Sequence, residues 1–480
     1  MIQMRKAIVV GGGLAGITAA LALQDSGQWN VHLFEARKHL GGRVSSIREP
    51  DTGLQLDNCQ HACFRVYDHF LQLLSRCNAQ KSIRFQQRTS LSFTNPNSGI
   101  TGRLYDSNLK PPNHMAKSLL KFPHLKFKDK LSMRKVVKKL SNMSEGERME
   151  LDDVSFEEWL KSNGQTQTSI DIFWGFFVLA ALNISAKNAS TSQAVFLFKR
   201  GLFGNFDAFD VGAFTEHLSH IFENQITNSL NKSGIELHKS TKINSLIWDD
   251  GKYSGVKTSS EEINADLIIL ATPHHIANKL LKTGPDSVKK ICKDLEEMEY
   301  NALIGIHGLY TKQITKNDFH FTALVNEPII QMVFNRNFEL KESVSSEIHQ
   351  WLSVPVSYAD SYLKYSNDEL EEEYRKVIEK IWPGHSKHLS KIVIIKSPKA
   401  TFSTKIGSTK FRPEANEIIP GLILCGDYIN NNWPSTMEGA VTSGLMAAAS
   451  ALELDDWKSE DLWGNWPQPP RRGDEKWGVL

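Results

Sequence analysis

Glycine occupies the first, third and sixth positions of Gly11-Gly12-Gly13-Leu14-Ala15-Gly16, directly after the short apolar run Ala7 to Val10. At a strand-to-helix turn the three glycines have separate tasks. Gly11 permits the tight turn, Gly13 lets a pyrophosphate approach the backbone, and Gly16 lets helix and strand pack closely. The first amides of that helix, at Leu14, Ala15 and Gly16, then face phosphate oxygens with the helix dipole behind them. Glu35 lies nineteen residues past Gly16, after Val31-His32-Leu33-Phe34. A carboxylate there accepts hydrogen bonds from ribose hydroxyls and repels a 2′-phosphate. The chemistry indicated is dinucleotide binding.

The continuation, Glu35-Ala36-Arg37-Lys38-His39-Leu40-Gly41-Gly42-Arg43, adds a second glycine pair and a cation. Such a pair offers another close backbone approach, and Arg43 a charge for the pyrophosphate of an extended cofactor.

These groups need a parallel sheet to hold them. Residues 6–10 read as a buried strand, Leu14 to Leu23 as the helix packed on it, and Val31 to Glu35 as a second strand, making a βαβ unit. Further strands are predicted at Glu236 to His238, Ile243 to Trp248, Tyr253 to Lys257 and Asp266 to Ala271, with Asp249-Asp250-Gly251 as a turn. Near the end, Gly421 to Asp427 reads as a strand, and Thr436 to Leu452 as a helix of small residues. The expected fold is α/β, α+β overall: a discontinuous Rossmann-like domain from residues 1–95, 205–285 and 395–454. A mixed substrate-binding domain from 96–204 and 286–394 is inserted into it, and 455–480 forms a tail carrying Trp457, Trp463, Trp466 and Trp477.

Over 480 residues, 40% are hydrophobic and 23% charged, with a net charge of +2, which is a globular composition and argues against a nucleic-acid partner. Cys59, Cys63, Cys77, Cys292 and Cys425 lack the paired spacing of a zinc site or redox dithiol, so no metal is expected and a reducing cytoplasm suits the chain. Cys59 and Cys63 could share a helix face. The start, Met1-Ile2-Gln3-Met4-Arg5-Lys6, leads into a strand and not a secretory signal. No stretch approaches the ~18–20 apolar residues of a membrane-spanning helix. Between Arg103 and Lys139, eleven Lys or Arg interleave with Leu119, Leu120, Phe122, Leu125, Phe127, Leu131 and Met133 against Asp106 and Asp129. That stretch reads either as a solvated face or as a surface for peripheral contact with anionic lipid on the inner face of a membrane.

With its Glu35-to-Arg43 element the sequence resembles the FAD-dependent amine oxidase and phytoene desaturase superfamily. Ala271-Thr272-Pro273-His274-His275, Cys425-Gly426-Asp427-Tyr428 and Met437-Glu438-Gly439-Ala440-Val441 carry the resemblance through all three segments of the first domain. It implies non-covalent FAD held by Gly11, Gly13, Leu14, Ala15, Gly16, Glu35, Ala36, Arg37, Gly42 and Arg43. It also places Gly426 and Asp427 at the ribityl chain, the backbone of Ile243 at adenine, and the Met437 and Glu438 amides at the flavin ring. Cys425, inside a strand, is not expected to form a thioether to the ring.

Three further fragments in order, Asp57-Asn58-Cys59-Gln60-His61, Ala181-Leu182-Asn183 and Trp433-Pro434-Ser435-Thr436-Met437-Glu438-Gly439, resemble the hydroxysqualene dehydroxylases of bacterial squalene and hopanoid biosynthesis. That resemblance implies reductive removal of an allylic hydroxyl from hydroxysqualene, with hydride from reduced flavin N5 and a proton for the leaving water. Asp57, His61 and Glu438 are the candidate acids. Asp57 could instead cap a turn or bond the cofactor, His61 could be a buried structural histidine, and Glu438 could cap a helix or orient the flavin edge. Phe173, Trp174, Phe177, Asn183 and Trp433 are candidate walls of an isoprenoid pocket, although such an aromatic stripe equally suits plain core. Without a second dinucleotide fingerprint, electrons would come from transient NAD(P)H or a separate reductase, and oligomeric state is not readable. The rivals are a carotenoid-precursor desaturase or isomerase using the same cofactor oxidatively, an amine oxidase, and a non-catalytic FAD-binding scaffold.

Overall fold

The computed structural model describes residues 4–340, 347–454, 471–473 and 477–480. Its first sheet has six strands in the order Glu236–His238, Trp29–Phe34, Arg5–Val10, Leu267–Leu270, Leu422–Leu424 and Glu417–Ile419, parallel except at the last pair. Ala7 stands opposite Val31 on one side and Leu267 on the other. Both faces are covered, which is why these strands are runs of apolar residues rather than alternations. On one face the helices Leu14–Asp25 and Met437–Ala451 pack so closely that a Cβ on Gly444 would lie 2.5 Å from the Ala15 carbonyl oxygen. Small side chains are what that contact requires, and both helices supply them.

The predicted strands after residue 235 form as Glu236–His238 in this sheet and as a separate three-stranded antiparallel sheet, Ser245–Asp249, Lys252–Lys257 and Glu262–Asn264. Asp250 and Gly251 both have positive φ, 46° and 77°, as a two-residue hairpin turn with right-handed strand twist demands.

The second large sheet has seven strands in the order Leu389–Phe402, Tyr300–Tyr310, Gln350–Ser357, Met332–Asn335, Phe321–Leu324, Ser90–Thr94 and Thr101–Tyr105. The boundary expected at 95 therefore falls inside its end hairpin, and that at 395 inside its edge strand. Strand pairing across more than two hundred residues decides membership here, and local composition does not report it. Helices between residues 116 and 202 build an aromatic core beside this sheet.

A four-stranded sheet, in the order Gly478–Val479, Ile83–Phe85, Val211–Phe214 and Ala62–Phe64, joins the C-terminus to the body. Trp477 is buried against Phe85, and Arg472 pairs with Asp106 and the Asp210 carboxylate. Residues 471–473 and 477–480 of the tail are thus docked; Trp457, Trp463 and Trp466 lie outside the described residues. Cys63 stands in a strand and Cys59 in the loop before it, so they share no helix face. Cys59, Cys63, Cys77, Cys292 and Cys425 are free thiols and buried. No helix among the described residues is long and apolar enough to cross a membrane.

Candidate functional site

The parallel strands end in a cradle of backbone. Gly11 has φ +116°, and a Cβ there would sit 2.4 Å from the Ala271 carbonyl oxygen. A Cβ on Gly16 would sit 1.9 Å from the Gly11 oxygen, so the helix can begin where it does only with glycine. The second glycine turn folds onto the first: Gly41 N–H donates to the Gly12 oxygen at 2.8 Å, and Gly13 faces Gly42. Leu14, Ala15 and Gly16 open the helix, where N–H groups have no intrahelical acceptor. Two close backbone approaches and these free amides fit the pyrophosphate of a dinucleotide.

Glu35, buried at the end of its strand, accepts from Gly12 N–H and Arg37 N–H, each at 2.8 Å. These bonds fix the carboxylate toward the glycine turn. The loop after Glu236–His238 is tied to the same place, with Thr241 N–H donating to the Glu35 oxygen and Ser240 N–H to the Arg37 oxygen, both at 2.9 Å. Ile243 follows on that loop. Its backbone N–H and C=O have no partner among the described residues, and an adenine edge needs one donor and one acceptor.

Arg43 donates to the Ala400 oxygen at 3.1 Å and pairs tightly with Asp427, which also accepts from the Ser435 hydroxyl. Burial alone would raise the Asp427 pKa, but the Arg43 charge and hydrogen bond hold it below its ordinary value. Beside this pair opens a cleft of about 490 Å³ lined by His274, His275, Tyr300, Lys399, Glu296 and Glu299 among others. His274 stacks on Tyr300 at 4.1 Å, and burial pulls its pKa down to about 4.

At the other end, Thr436 caps the helix Met437–Ala451 through its hydroxyl oxygen, which accepts from Gly439 N–H at 3.0 Å. Among the described residues the Met437 and Glu438 N–H groups have no acceptor, which would suit an electron-rich ring edge. Glu438 itself turns away from that role. Its carboxylate accepts from His69 N–H at 3.2 Å and Phe70 N–H at 2.8 Å, at the first turn of the helix Asp68–Arg76. It caps a neighbouring helix, which sequence spacing does not reveal because 369 positions separate Glu438 from His69.

Asp57 is likewise an anchor. Its Oδ1 accepts from Ser46 Oγ at 2.7 Å and Leu218 N–H at 3.0 Å, and its Oδ2 pairs with Arg336 at 2.9 Å. With three donors gathered on it, this carboxylate holds the loop as an acceptor. Arg336 also pairs with Glu339, which holds His320 Nε2 at 2.9 Å and Gln60 Nε2 at 3.1 Å. Burial would raise the Glu339 pKa, yet the Arg336 charge keeps it below its ordinary value. Sequence reasoning missed Arg336, Glu339 and His320, whose segment carries no motif. The visible signal was only two opposite charges three residues apart in Arg336-Asn337-Phe338-Glu339.

His61, in the loop this network braces, has Nδ1 at 3.0 Å from the Cys59 carbonyl oxygen. A carbonyl only accepts, so Nδ1 carries the hydrogen, and the neutral ring presents Nε2 as a lone pair. Burial lowers the His61 pKa. As placed, His61 Nε2 is an acceptor rather than a donor.

The expected pocket residues divide. Trp174 is fully buried, and its indole N–H donates to Gln165 Oε1 at 2.8 Å, so it is core. Phe173 packs edge-on to Trp174 and belongs to the same core. Asn183 is a pin. At φ +53° it closes a helix, donating to Thr401 Oγ1 at 2.9 Å and to the Ala302 oxygen at 3.2 Å while accepting from Tyr358 N–H. That ties the helical insert to the second sheet, and a side chain with its amide fully used does not select substrate. Trp433 stands in an aromatic cluster, edge-on to Tyr67 at 5.7 Å and to Phe196 at 5.1 Å. Phe64 continues that cluster from Tyr67 and Phe209 packs on Phe64, while Phe177, which meets Phe209 at 5.6 Å, is buried in the same core as Phe173 and Trp174. Tyr67, missed in the sequence, has no hydrogen-bond partner for its hydroxyl among the described residues, and burial raises its pKa. One other cluster, His32, Glu236 and His238, lies at the edge of the first sheet, where His32 Nδ1 is 3.3 Å from His238 Nε2.

A family model described as flavin containing amine oxidoreductase matches residues 14–452. Among curated proteins, the chain is 25% identical to a 15-cis-phytoene desaturase of Synechococcus elongatus, covering 94% of this chain and 97% of that one. It is 23% identical to a zeta-carotene desaturase of Solanum lycopersicum, covering 92% and 80%. Among solved structures, putrescine oxidase bound to putrescine aligns with TM-score 0.72 at 16% identity, covering 94% of this chain and 99% of that one. An oxidoreductase from Methanosarcina mazei aligns with TM-score 0.72 at 16% identity, covering 93% and 100%. At that identity the structural likeness concerns the fold.

Proposed function

The chain belongs to the flavin containing amine oxidoreductase family and is an FAD-dependent oxidoreductase, and from that premise we propose that it desaturates a long isoprenoid hydrocarbon of the carotenoid-precursor type. The substrate class is supported by likeness to phytoene and zeta-carotene desaturases that runs the length of the chain and includes the second sheet and its helices. The glycine cradle at Gly11, Gly13, Gly16, Gly41 and Gly42 would hold FAD, which when bound would supply a two-electron acceptor for hydride. The chain's own residues must then keep water out and take up the proton released as the double bond forms.

The observation that carries the oxidative direction is His61. A neutral imidazole with Nδ1–H committed to the Cys59 carbonyl offers Nε2 to a proton, which suits desaturation. Removal of a hydroxyl needs the reverse, an acid, and Asp57 and Glu438 are both occupied as acceptors. The Trp433, Tyr67, Phe196 and Phe64 cluster supplies an apolar surface next to the start of the last helix.

Reductive dehydroxylation of hydroxysqualene is the second reading, favoured by Tyr67. An uncommitted phenol edge-on to Trp433 could donate to an allylic hydroxyl. The test is anaerobic. Loss of oxidised-flavin absorbance on adding 15-cis-phytoene, with a product short of two hydrogens, is the expected result. If phytoene leaves the flavin oxidised while photoreduced protein is reoxidised by hydroxysqualene with squalene formed, the second reading replaces the first. A protein inert to both refutes both readings.

A further inference from the structure

The helices Ala116–Lys121 and Phe127–Asn142 form a hairpin whose outer face meets no partner among the described residues. The longer helix buries Asp129, Met133, Val136 and Leu140 at spacings of four, three and four, so one stripe is firmly seated in the core of the insert. The opposite stripe begins with Phe127 and Leu131, one turn apart and therefore side by side. They are 72% and 60% exposed, and Leu120 at the end of the shorter helix is 61% exposed. Lys130 Nζ donates to the Leu120 carbonyl at 2.8 Å, which holds the two helix ends together. Three large apolar side chains thus share one exposed tip.

The charge around that tip is one-sided. Residues 116–142 contain eight lysines and Arg134 against a single acid, Asp129. Asp129 points inward, 1% exposed, accepting from Lys126 N–H at 3.0 Å and Thr166 Oγ1 at 2.7 Å. Lys117, Lys121, Lys128, Arg134, Lys135 and Lys138 are exposed, and among the described residues none has a carboxylate within 4.0 Å. Exposed apolar side chains ringed by unneutralised cations, on an element rigidly packed from behind, complement an anionic interface that also has an apolar interior. A protein partner or a nucleic acid would leave Phe127 and Leu131 unexplained or demand a matching pocket.

We infer that this hairpin is the surface by which the protein docks on an anionic lipid bilayer, with Leu120, Phe127 and Leu131 inserted among the acyl chains and the lysines on the headgroup phosphates. The inference does not rest on which hydrocarbon is the substrate, because docking is read with no substrate present.

The test is sedimentation of the full-length flavin-loaded chain with vesicles of phosphatidylcholine containing about 30% phosphatidylglycerol, and with pure phosphatidylcholine vesicles. The expected result is binding to the anionic vesicles that weakens steeply with salt, and little binding to the neutral ones. The triple change Lys128→Glu, Lys135→Glu and Lys138→Glu should lower the partition coefficient more than about tenfold. Phe127→Ser with Leu131→Ser should lower it roughly tenfold at unchanged salt dependence. Both variants should keep the parental flavin content and unfolding midpoint. Equal binding to both vesicle types, parental binding by both variants, or displacement of the protein from vesicles by a single-stranded RNA at lower concentration than by soluble phosphatidylglycerol headgroup would each overturn it. Should a variant fail to fold, the salt dependence of the parent on the two vesicle types decides alone.

Discussion

Replacing Arg336 by methionine tests the brace behind the His61 loop. The guanidinium pairs with Asp57 at 2.9 Å and with Glu339, and the two carboxylates are 4% and 0% exposed. Methionine keeps much of the volume and removes the charge, so two buried carboxylates lose their partner. Breaking a buried pair from one side costs about 3–5 kcal/mol, because the remaining charge stays out of water without compensation. His320 and Gln60 still contact Glu339 and Ser46 still contacts Asp57, which places the expected loss at the lower end, about 3 kcal/mol. The loss should also depend on pH. In the parent, Glu339 sits below its ordinary pKa because of Arg336, so its contribution is present above the carboxylate range and disappears as pH falls through the lowered value. In the variant, burial without the cation raises that pKa, and proton uptake removes the stranded charge. The deficit should therefore be largest at neutral pH and shrink as pH falls toward the ordinary carboxylate range. Urea unfolding of parent and variant at several pH values, with flavin fluorescence as a second probe, measures this. A deficit under about 1 kcal/mol at neutral pH, or one that grows on acidification, would refute the account of Arg336 as the compensating charge.

Gly11→Ala places a Cβ 2.4 Å from the Ala271 oxygen at φ +116°, and flavin affinity should drop by at least about tenfold, seen as colourless but folded protein on gel filtration. His61→Ala should lower kcat on the productive hydrocarbon about a hundredfold or more with flavin content unchanged. Because burial lowers the His61 pKa, parental activity should persist below the pH at which a free histidine titrates and decline only in more acid solution; a profile falling on the alkaline side instead would mark His61 as an acid. Glu438→Ala removes an N-terminal cap from Asp68–Arg76 and should cost about 1–2 kcal/mol of stability, while kcat stays within about threefold of the parent. A large kcat effect with parental stability would instead place Glu438 in the chemistry.

Much of the glycine cradle was legible because its determinants are local. A tight turn needs glycine at Gly11 whatever surrounds it, a strand buried on both faces must be an apolar run such as Ala7 to Val10, and a close helix contact needs small residues such as those around Gly444. The hairpin at Asp250 and Gly251 and the cap at Thr436 follow from the same short-range rules. Side-chain roles set by distant partners were not legible. Asp57 and Glu438 had the chemistry of acids, and Asn183 and Trp174 the chemistry of a pocket. Which carboxylates became anchors was decided by Arg336, 279 positions from Asp57, and by the helix start at His69, 369 positions from Glu438. The amino-acid order by itself determined where the backbone could turn, bury itself and admit a phosphate. The tertiary structure alone decided which polar groups were already satisfied and which, like His61 Nε2 and the Tyr67 hydroxyl, have no partner among the described residues, because satisfaction depends on what folding brings within hydrogen-bond reach.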